Sequence, residues 1–477
     1  VEQEPATLDP RMGSDVAADR CFRLLYRGLF RIGDDFEPRP DLVESWKRES
    51  PTRYLLVLKK GIRFSNGREV TAADAAFTIN SIVRGDLPSF RKGDLDHVAA
   101  IRKVGRYELE VTLDEPFTPI LSALNVGIIP RGTDPDTETP VGCGPYELSR
   151  WVHGQWVIFK TNPFAAGKPA SPTIAFKIIP DPVVRGLELR RGSVDMVVND
   201  LPPDSLSYFR RKGFPIYRSP GSNYAYVGIN CRKKPLDRIP VRQAIALAID
   251  RKAILKNILD GFGRPATGLL PPGHWAYNGA VDTWDCDPRR AERLLDKAGL
   301  KRGRDGVRFS IDYKTSDNKV SRRIATAVAE ELAGVGIKVR VRWLEWGTFY
   351  GDVKRGNFDI YGLTWVGITD PDAFRLRFAS WAVPPDGFNR GGYSNAEVDG
   401  LLERGVIECD RARRRAIYSR VQAILARELP YVSLWYTDNV CVTEPGVRGV
   451  KLPPDANFSF LTGVRRHKFC KRLTNFE

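Results

Sequence analysis

Between residues 307 and 343 the apolar pattern changes period twice, and no other stretch constrains the fold as much. Residues 307–314 alternate, with Phe309, Ile311 and Tyr313 on one side. Residues 319–333 carry an amphipathic helical pattern that stops at Gly334. Residues 337–343 alternate again, Val339, Val341 and Trp343 interleaving with Lys338, Arg340 and Arg342. Strand, helix, strand over so short a span is a βαβ unit: two parallel strands of one sheet joined by a helix on its face, with a right-handed crossover. The apolar run 358–365 adds a neighbouring buried strand. One such sheet cannot absorb all 477 residues, because a single core stops growing near ~250–300 residues, so two or three lobes are expected.

The first half of the chain has a different texture. Residues 53–60 place Tyr54, Leu56 and Leu58 on one strand face, and 106–114 do the same with Tyr107, Leu109, Val111 and Leu113. Thr71-Ala-Ala-Asp74 is a capping box with Asp in place of the usual Glu, and it opens a helix over 72–83 that ends at Gly85. Residues 154–160 and 173–179 read as strands. Past Pro240, residues 241–258 read as one helix closed by Gly261. The mixture predicts an α/β and α+β multi-lobe protein without repeats.

The chemistry-bearing motifs argue against an enzyme. There is no P-loop, GxSxG elbow, HExxH helix or GxGxxG turn. The four His (97, 153, 274, 467) are scattered, and the seven Cys contain no CxxC pair, so neither a metal site nor a resident cofactor is expected. Cys143 in Pro140-Val-Gly-Cys-Gly-Pro145 has no His near it in sequence and reads as a small buried thiol. Asp370 and Asp372 are a carboxylate pair that could serve acid–base work in a hydrolase such as a glycosidase. The Pro371 between them marks a turn in which one aspartate caps a helix, and that reading is preferred.

The net charge of +16 suits anionic partners. Its Lys and Arg are dispersed and no RNA- or DNA-binding signature accompanies them, so nucleic acid is not expected. A protein-interaction module docking through the basic face is the remaining non-enzymatic alternative, and the basic run Arg465-Arg-His-Lys468 reads as solvated. No run of 18 apolar residues is present. The chain opens on Val1 without a charged-then-apolar leader and reads as processed or trimmed, its export signal, if any, gone. Aromatic pairs occur at Tyr224 and Tyr226 and at Trp343 and Trp346. Trp365 is distinctive because it stands where an apolar strand meets the turn Val366-Gly-Ile-Thr-Asp-Pro371, the kind of strand end at which α/β folds place ligands.

Several segments, in order, carry a family resemblance: Thr7-Leu-Asp-Pro10, Leu42-Val-Glu-Ser-Trp46, Leu58-Lys-Lys-Gly-Ile-Arg-Phe-Ser-Asn-Gly67, Val70-Thr-Ala-Ala-Asp74, Pro140-Val-Gly-Cys-Gly-Pro-Tyr146, Arg191-Gly-Ser-Val-Asp195, Val241-Arg-Gln-Ala-Ile245 and Ala291-Glu-Arg-Leu-Leu-Asp-Lys-Ala-Gly299. Together they resemble the extracellular solute-binding proteins of the dipeptide/oligopeptide/nickel group, family 5, which feed ABC importers. The resemblance implies a periplasmic-binding-protein-like clamshell of two gripping lobes with an extra small β-rich lobe, the three-lobe type called class II or cluster C. Lobe I would comprise 1–28, 140–230 and 439–477, the inserted β-rich lobe 29–139, and the second gripping lobe 231–438. It also implies a periplasmic or cell-surface monomer that hands a small solute, such as a peptide or modified peptide, to the permease subunits of its transporter, without catalysis.

The same resemblance supplies candidate ligand contacts. In peptide-binding relatives the stretch after Leu-Asp-Pro offers its backbone as a strand edge, which here is Gly13, Ser14, Asp15 and Val16. Opposite it lies the segment Trp365, Val366, Gly367, Ile368, Thr369, Asp370 and Asp372; the clustered aromatics Tyr224, Tyr226 and Trp346 join the candidates from the sequence itself, core packing being the default for such rings. Relatives carry an aspartate three residues after the tryptophan for the peptide's α-ammonium; this chain has Ile368 there, and a loop to Asp370 one residue shorter. A buried ammonium would thereby lose a charge-assisted bond worth roughly 1.5–3 kcal/mol. The expectation is a ligand other than a simple peptide, such as a modified peptide, an opine- or sugar-like compound or a metal chelate, unless Asp370 takes the ammonium.

Overall fold

The computed structural model describes residues 1–466 apart from 14, 86 and 90. The chain forms two compact units, Val1–Ser219 with the chain from Asn439 onward, and Pro220–Asp438.

Unit 1 opens with helix α1, Val16–Leu25. A four-stranded antiparallel sheet follows, made of β1 (Val43–Ser50), β2 (Arg53–Leu58), β3 (Val98–Lys103) and β4 (Glu108–Leu113) in the order β1-β2-β4-β3. The expected alternation holds in it. Tyr54, Leu56 and Leu58 are buried, as are Leu109, Val111 and Leu113, each full burial of an aliphatic side chain contributing about 1.5–3 kcal/mol. Helix α2, Ala72–Val83, starts at the expected capping box. The Asp74 carboxylate accepts from Thr71 N at 2.9 Å and from Arg131 N at 2.8 Å, so the substituted aspartate caps the helix and anchors a second loop. Strands β5 (Tyr146–Val152), β6 (Trp156–Thr161) and β7 (Thr173–Lys177) make a three-stranded antiparallel sheet, and β8 (Met196–Val198) pairs with residues 441–443.

Strand β9, Ile216–Ile229, carries the chain into unit 2. The stretch expected to be one helix is two, α3 (Ile239–Ala248) and α4 (Arg251–Ile258). Ile249 is extended, and the Asp250 carboxylate accepts from Ala253 N at 2.9 Å. An aspartate inside a helical run can bond the backbone ahead of it, and here it starts a new helix instead of continuing the old one.

The βαβ unit is present: β10 (Phe309–Ser316) and β11 (Ile337–Leu344) are parallel, joined by α5 (Lys319–Gly334), which buries Ala325, Val328 and Leu332. Strand β11 is an edge strand whose outer face holds Lys338, Arg340 and Arg342, charges that discourage edge-to-edge pairing. Helix α6 (Trp346–Lys354) leads into β12 (Ile360–Trp365), and α7 (Arg411–Glu428) precedes β13 (Tyr431–Thr443). The strand order through unit 2 is β13-β9-β12-β10-β11. One face of this sheet buries Ala225, Val227, Ile229, Ile311 and Tyr313 against α3 and α5. The other buries Tyr224, Tyr226, Tyr361, Phe349 and Val353.

Candidate functional site

Strands β9 and β12 are antiparallel with Tyr224 opposite Trp365 and Tyr226 opposite Leu363. Alternate residues of a strand share a face, so the two tyrosines and the tryptophan lie on the same side. Tyr226 is stacked on Trp365 (6.1 Å between ring centres, 6° between planes), on Tyr224 (5.6 Å) and on Tyr431 (4.1 Å). The Tyr224 hydroxyl lies 2.7 Å from Ser433 Oγ. Both tyrosines are buried, at 2% and 1% exposure. As placed, they form the floor beneath Trp365 and leave the half-buried indole as the accessible ring.

Around that indole stands a ladder of rings and guanidiniums. Arg377 lies over Trp365 at 4.0 Å and Arg390 at 4.9 Å. The Phe388 ring meets Trp365 edge-on at 5.5 Å. Arg390 also covers Tyr350 at 5.2 Å and donates to its hydroxyl at 3.0 Å. Tyr350 in turn is stacked on Trp346 at 5.5 Å, whose side chain at the start of α6 is 54% exposed. Such cation–ring contacts contribute about 0.5–2 kcal/mol each, more when water is excluded.

The electrostatics of the ladder are one-sided. Among the described residues neither Arg377 nor Arg390 has a carboxylate partner; Arg377 Nη1 donates to Ala373 O at 2.8 Å, and Arg390 Nη1 to the Tyr226 hydroxyl at 3.4 Å. Trp365 Nε1, Arg377 Nε and Arg390 Nε are buried and make no hydrogen bond there. A buried donor left unpaired costs about 1–3 kcal/mol. Burial pulls the Arg377 guanidinium down to about 10, with the Arg390 charge beside it adding to the effect; it stays protonated at neutral pH.

The loop that follows β12 distributes its residues by chemistry. Val366 and Gly367 are exposed, and Gly367 has φ +71°, a left-handed conformation that suits glycine. Ile368 is 3% exposed, in the same apolar cluster as Phe374 and Tyr418. Thr369 is half-buried. Asp370 caps the short turn Pro371–Phe374 by accepting from Asp372 N at 2.8 Å, and its two oxygens take Arg414 Nη1 and Nη2 at 3.0 and 2.6 Å. Asp372 accepts from Arg375 Nε at 3.0 Å and Nη2 at 3.1 Å, and burial raises its pKa. Each aspartate is therefore committed to an arginine, and Asp370 caps the turn that Pro371 opens.

In unit 1, Ser14 lies outside the described residues. Gly13 N donates to Asp9 O at 3.2 Å, and a side chain at Gly13 would collide with the Phe22 ring 2.3 Å away. Asp15 caps α1 through Ala18 N at 2.8 Å, and Val16 is its exposed first residue. The segment is thus a turn entering a helix where a strand edge was expected: the Asp15 carboxylate satisfies a free N–H of the helix start and so favours helix from Val16 onward. Gly13 borders a cavity of about 320 Å³ walled by Phe22, Arg23, Arg27, Arg91 and Asn125. Three of the cavity's four arginines have a carboxylate, Arg23 with Asp19 at 3.2 Å, Arg27 with Asp41 at 2.6 Å and Arg91 with Asp94 at 3.5 Å, while the exposed Arg31 makes no ion pair among the described residues.

Burial pushes the Cys143 thiol up to about 12, which leaves it a poor nucleophile. Cys21, Cys143, Cys231, Cys286 and Cys441 are free thiols, and no three His, Cys, Asp or Glu among the described residues stand close enough to hold a metal. No described helix is long and apolar enough to cross a membrane. Sequence reasoning missed Arg377, Phe388 and Arg390, which belong to the Trp365 ladder. Their one signal was Arg375-Leu-Arg377, two cations closely following a strand-end tryptophan; only the fold shows that the first has a carboxylate and the second a ring.

A family model described as bacterial extracellular solute-binding proteins, family 5, matches residues 37–383. The oligopeptide-binding protein AppA of Bacillus subtilis is 27% identical over 94% of this chain and 88% of its own length. The glutathione-binding protein GsiB of Salmonella choleraesuis is 26% identical over 95% of this chain and 91% of its own. Among solved structures, NikA of Brucella suis in complex with Fe(III)-EDTA superimposes with a TM-score of 0.89 at 23% identity, covering 98% of this chain and 99% of that one; at that identity the likeness is one of fold.

Proposed function

Because this chain belongs to the bacterial extracellular solute-binding proteins of family 5, we propose that it works outside the cytoplasmic membrane as the receptor of an ABC importer, capturing a small solute between its lobes and passing it unchanged to the permease. Relatives named for oligopeptides, dipeptides and glutathione support a peptide-related solute. Capture requires no chemistry. A ligand that bridges two lobes shifts the open–closed equilibrium by its differential contacts alone, and a transporter can then distinguish loaded from empty receptor.

One observation directs the choice of solute: the position three residues after Trp365 is the buried Ile368, and the next carboxylate, Asp370, is held by both nitrogens of Arg414. An α-ammonium seated at Trp365 has no counter-charge on this loop. The solute is therefore one without a free ammonium at that end, such as a modified peptide, an opine-like compound or a chelate. The same ion pairs speak against hydrolysis by Asp370 and Asp372, since a general acid and base need carboxylates free to face a substrate.

The test is a thermal-shift screen of the purified protein against free di- and tripeptides, N-blocked peptides, opine-like conjugates and metal chelates, with small-angle scattering on each hit. A hit that raises Tm, contracts the particle and is recovered unchanged supports the receptor. Tight binding of an unmodified dipeptide, lost in Asp370→Ala, contradicts the choice of solute, and turnover of any hit contradicts the receptor.

A further inference from the structure

The Trp365 ladder is a set of hydrogen-bond donors with too few acceptors. An arginine guanidinium carries five N–H donors and no acceptor, and an indole carries one donor and no acceptor. Three such donors, Trp365 Nε1, Arg377 Nε and Arg390 Nε, are buried without a partner among the described residues. Both guanidiniums lie over one ring, their centres 4.0 and 4.9 Å from its own, so two like charges share one site. The nearby carboxylates are committed elsewhere, Asp372 to Arg375 and Asp370 to Arg414. Nearby phenol hydroxyls accept from Arg390 alone, at Tyr226 and Tyr350. A carboxylate deprived of its cation can take up a proton, whereas an arginine cannot lose its charge near neutrality. Two adjacent uncompensated arginines therefore call for an anion from outside the chain.

We propose that the Trp365–Arg377–Arg390 cluster is a subsite for an oxyanionic group of the solute, a carboxylate or a phosphate, seated against the indole edge and accepting from these donors. The inference rests on the receptor reading and specifies the charge of its ligand. The group lying on Trp365 is anionic, the reverse of the ammonium that an unmodified peptide would bring. The planar guanidinium fork fits two oxygens of one carboxylate or phosphate. The exposed rings of Phe388 and Trp346 give the rest of the solute an apolar flank.

The experiment uses the full chain labelled with 5-fluorotryptophan, with the Trp365 and Trp343 resonances assigned from Trp365→Phe and Trp343→Phe. Trp343 is the internal control, an exposed ring with Arg322 at 4.7 Å on β11, so general anion binding by a basic protein moves both signals. At constant ionic strength the protein is titrated with succinate, inorganic phosphate and cadaverine. The expected result is a saturable shift of Trp365 alone with succinate or phosphate and none with cadaverine, the tighter anion indicating the source of the group. Arg377→Gln weakens that binding at least tenfold, and Arg377→Lys, which keeps the charge and loses the fork, recovers part of it. Arg390→Gln serves as a second variant, each checked for an unchanged circular dichroism spectrum. A Trp365 signal that no anion saturates, that moves in step with Trp343, or that responds equally in folded Arg377→Gln overturns the inference. The library screen separates this failure from that of the receptor: a neutral or cationic hit leaves the receptor standing without the anion subsite, and a library with no hit removes the receptor itself.

Discussion

The cavity of unit 1 and the Trp365 face of unit 2 are both built from arginines and aromatic rings, but their charges are balanced differently. Around the first, Arg23, Arg27 and Arg91 each have an aspartate of the same unit within ion-pair reach. On the second, Arg377 and Arg390 have rings, carbonyls and phenols but no carboxylate among the described residues. The contrast recurs within a few residues of chain, since Asp370 and Asp372 just before Arg377 are both paired. Neutralised arginines hold a fold together. Arginines left unneutralised in a half-buried aromatic site cost stability, and that cost is offset when a ligand supplies the missing charge.

The largest expected effect breaks the balanced side. Asp370→Ala leaves Arg414, whose side chain is 5% exposed, as an uncompensated buried charge, and urea unfolding should show a loss of about 3–5 kcal/mol. The unbalanced side should behave in the opposite way. Arg377→Gln removes a charge that has no partner, so its unliganded stability should match or slightly exceed that of the parent in urea. The affinity for the solute found in the screen should fall at least tenfold by calorimetry, about 1.4 kcal/mol.

Much of this framework was legible beforehand. The two changes of period over 307–343 give β10, α5 and β11 because alternation and helical repeat are properties of adjacent residues. The capping box at Thr71 was equally local. The break at Asp250 was not, because a helical apolar pattern continues through it and only the bond to Ala253 N decides that the helix restarts. The site was legible at Trp365, through its position at a strand end. It was illegible at Arg377 and Arg390, whose meaning depends on which arginines in a chain with 74 Lys and Arg find a carboxylate in three dimensions. Ile368 was readable as a departure from the family pattern, while the commitment of Asp370 to Arg414, 44 residues on, was not.

Two smaller effects sharpen the comparison from outside the site. Asp250→Ala should remove the cap of α4 and cost about 1 kcal/mol in thermal or urea unfolding. Glu331 on α5 is the carboxylate counterpart of Arg377. It accepts from Asp250 N at 3.1 Å and has no cation at ion-pair distance among the described residues, and burial raises its pKa from the usual 4.5 to about 7. The folded state then holds this proton between pH 4.5 and 7 while the unfolded chain releases it. Its contribution to stability is complete below about pH 4.5, declines as pH rises to 7 and is flat beyond. Glu331→Gln should flatten that part of the Tm-versus-pH curve, and an unchanged slope would show that the group is already ionised in the fold.

The central claim is that this chain holds one small solute, chemically untouched, by an anionic end placed on Trp365. Its most direct measurement is mass spectrometry of the small molecules released on denaturation from protein purified without dialysis, compared between the parent and Arg377→Gln. The account predicts a carboxylated or phosphorylated solute at up to one per chain, depleted in the variant and identical in mass after repeated binding and release. A free peptide with an unmodified ammonium terminus, held equally by both proteins, would contradict it, as would a solute whose mass changes on incubation with the protein.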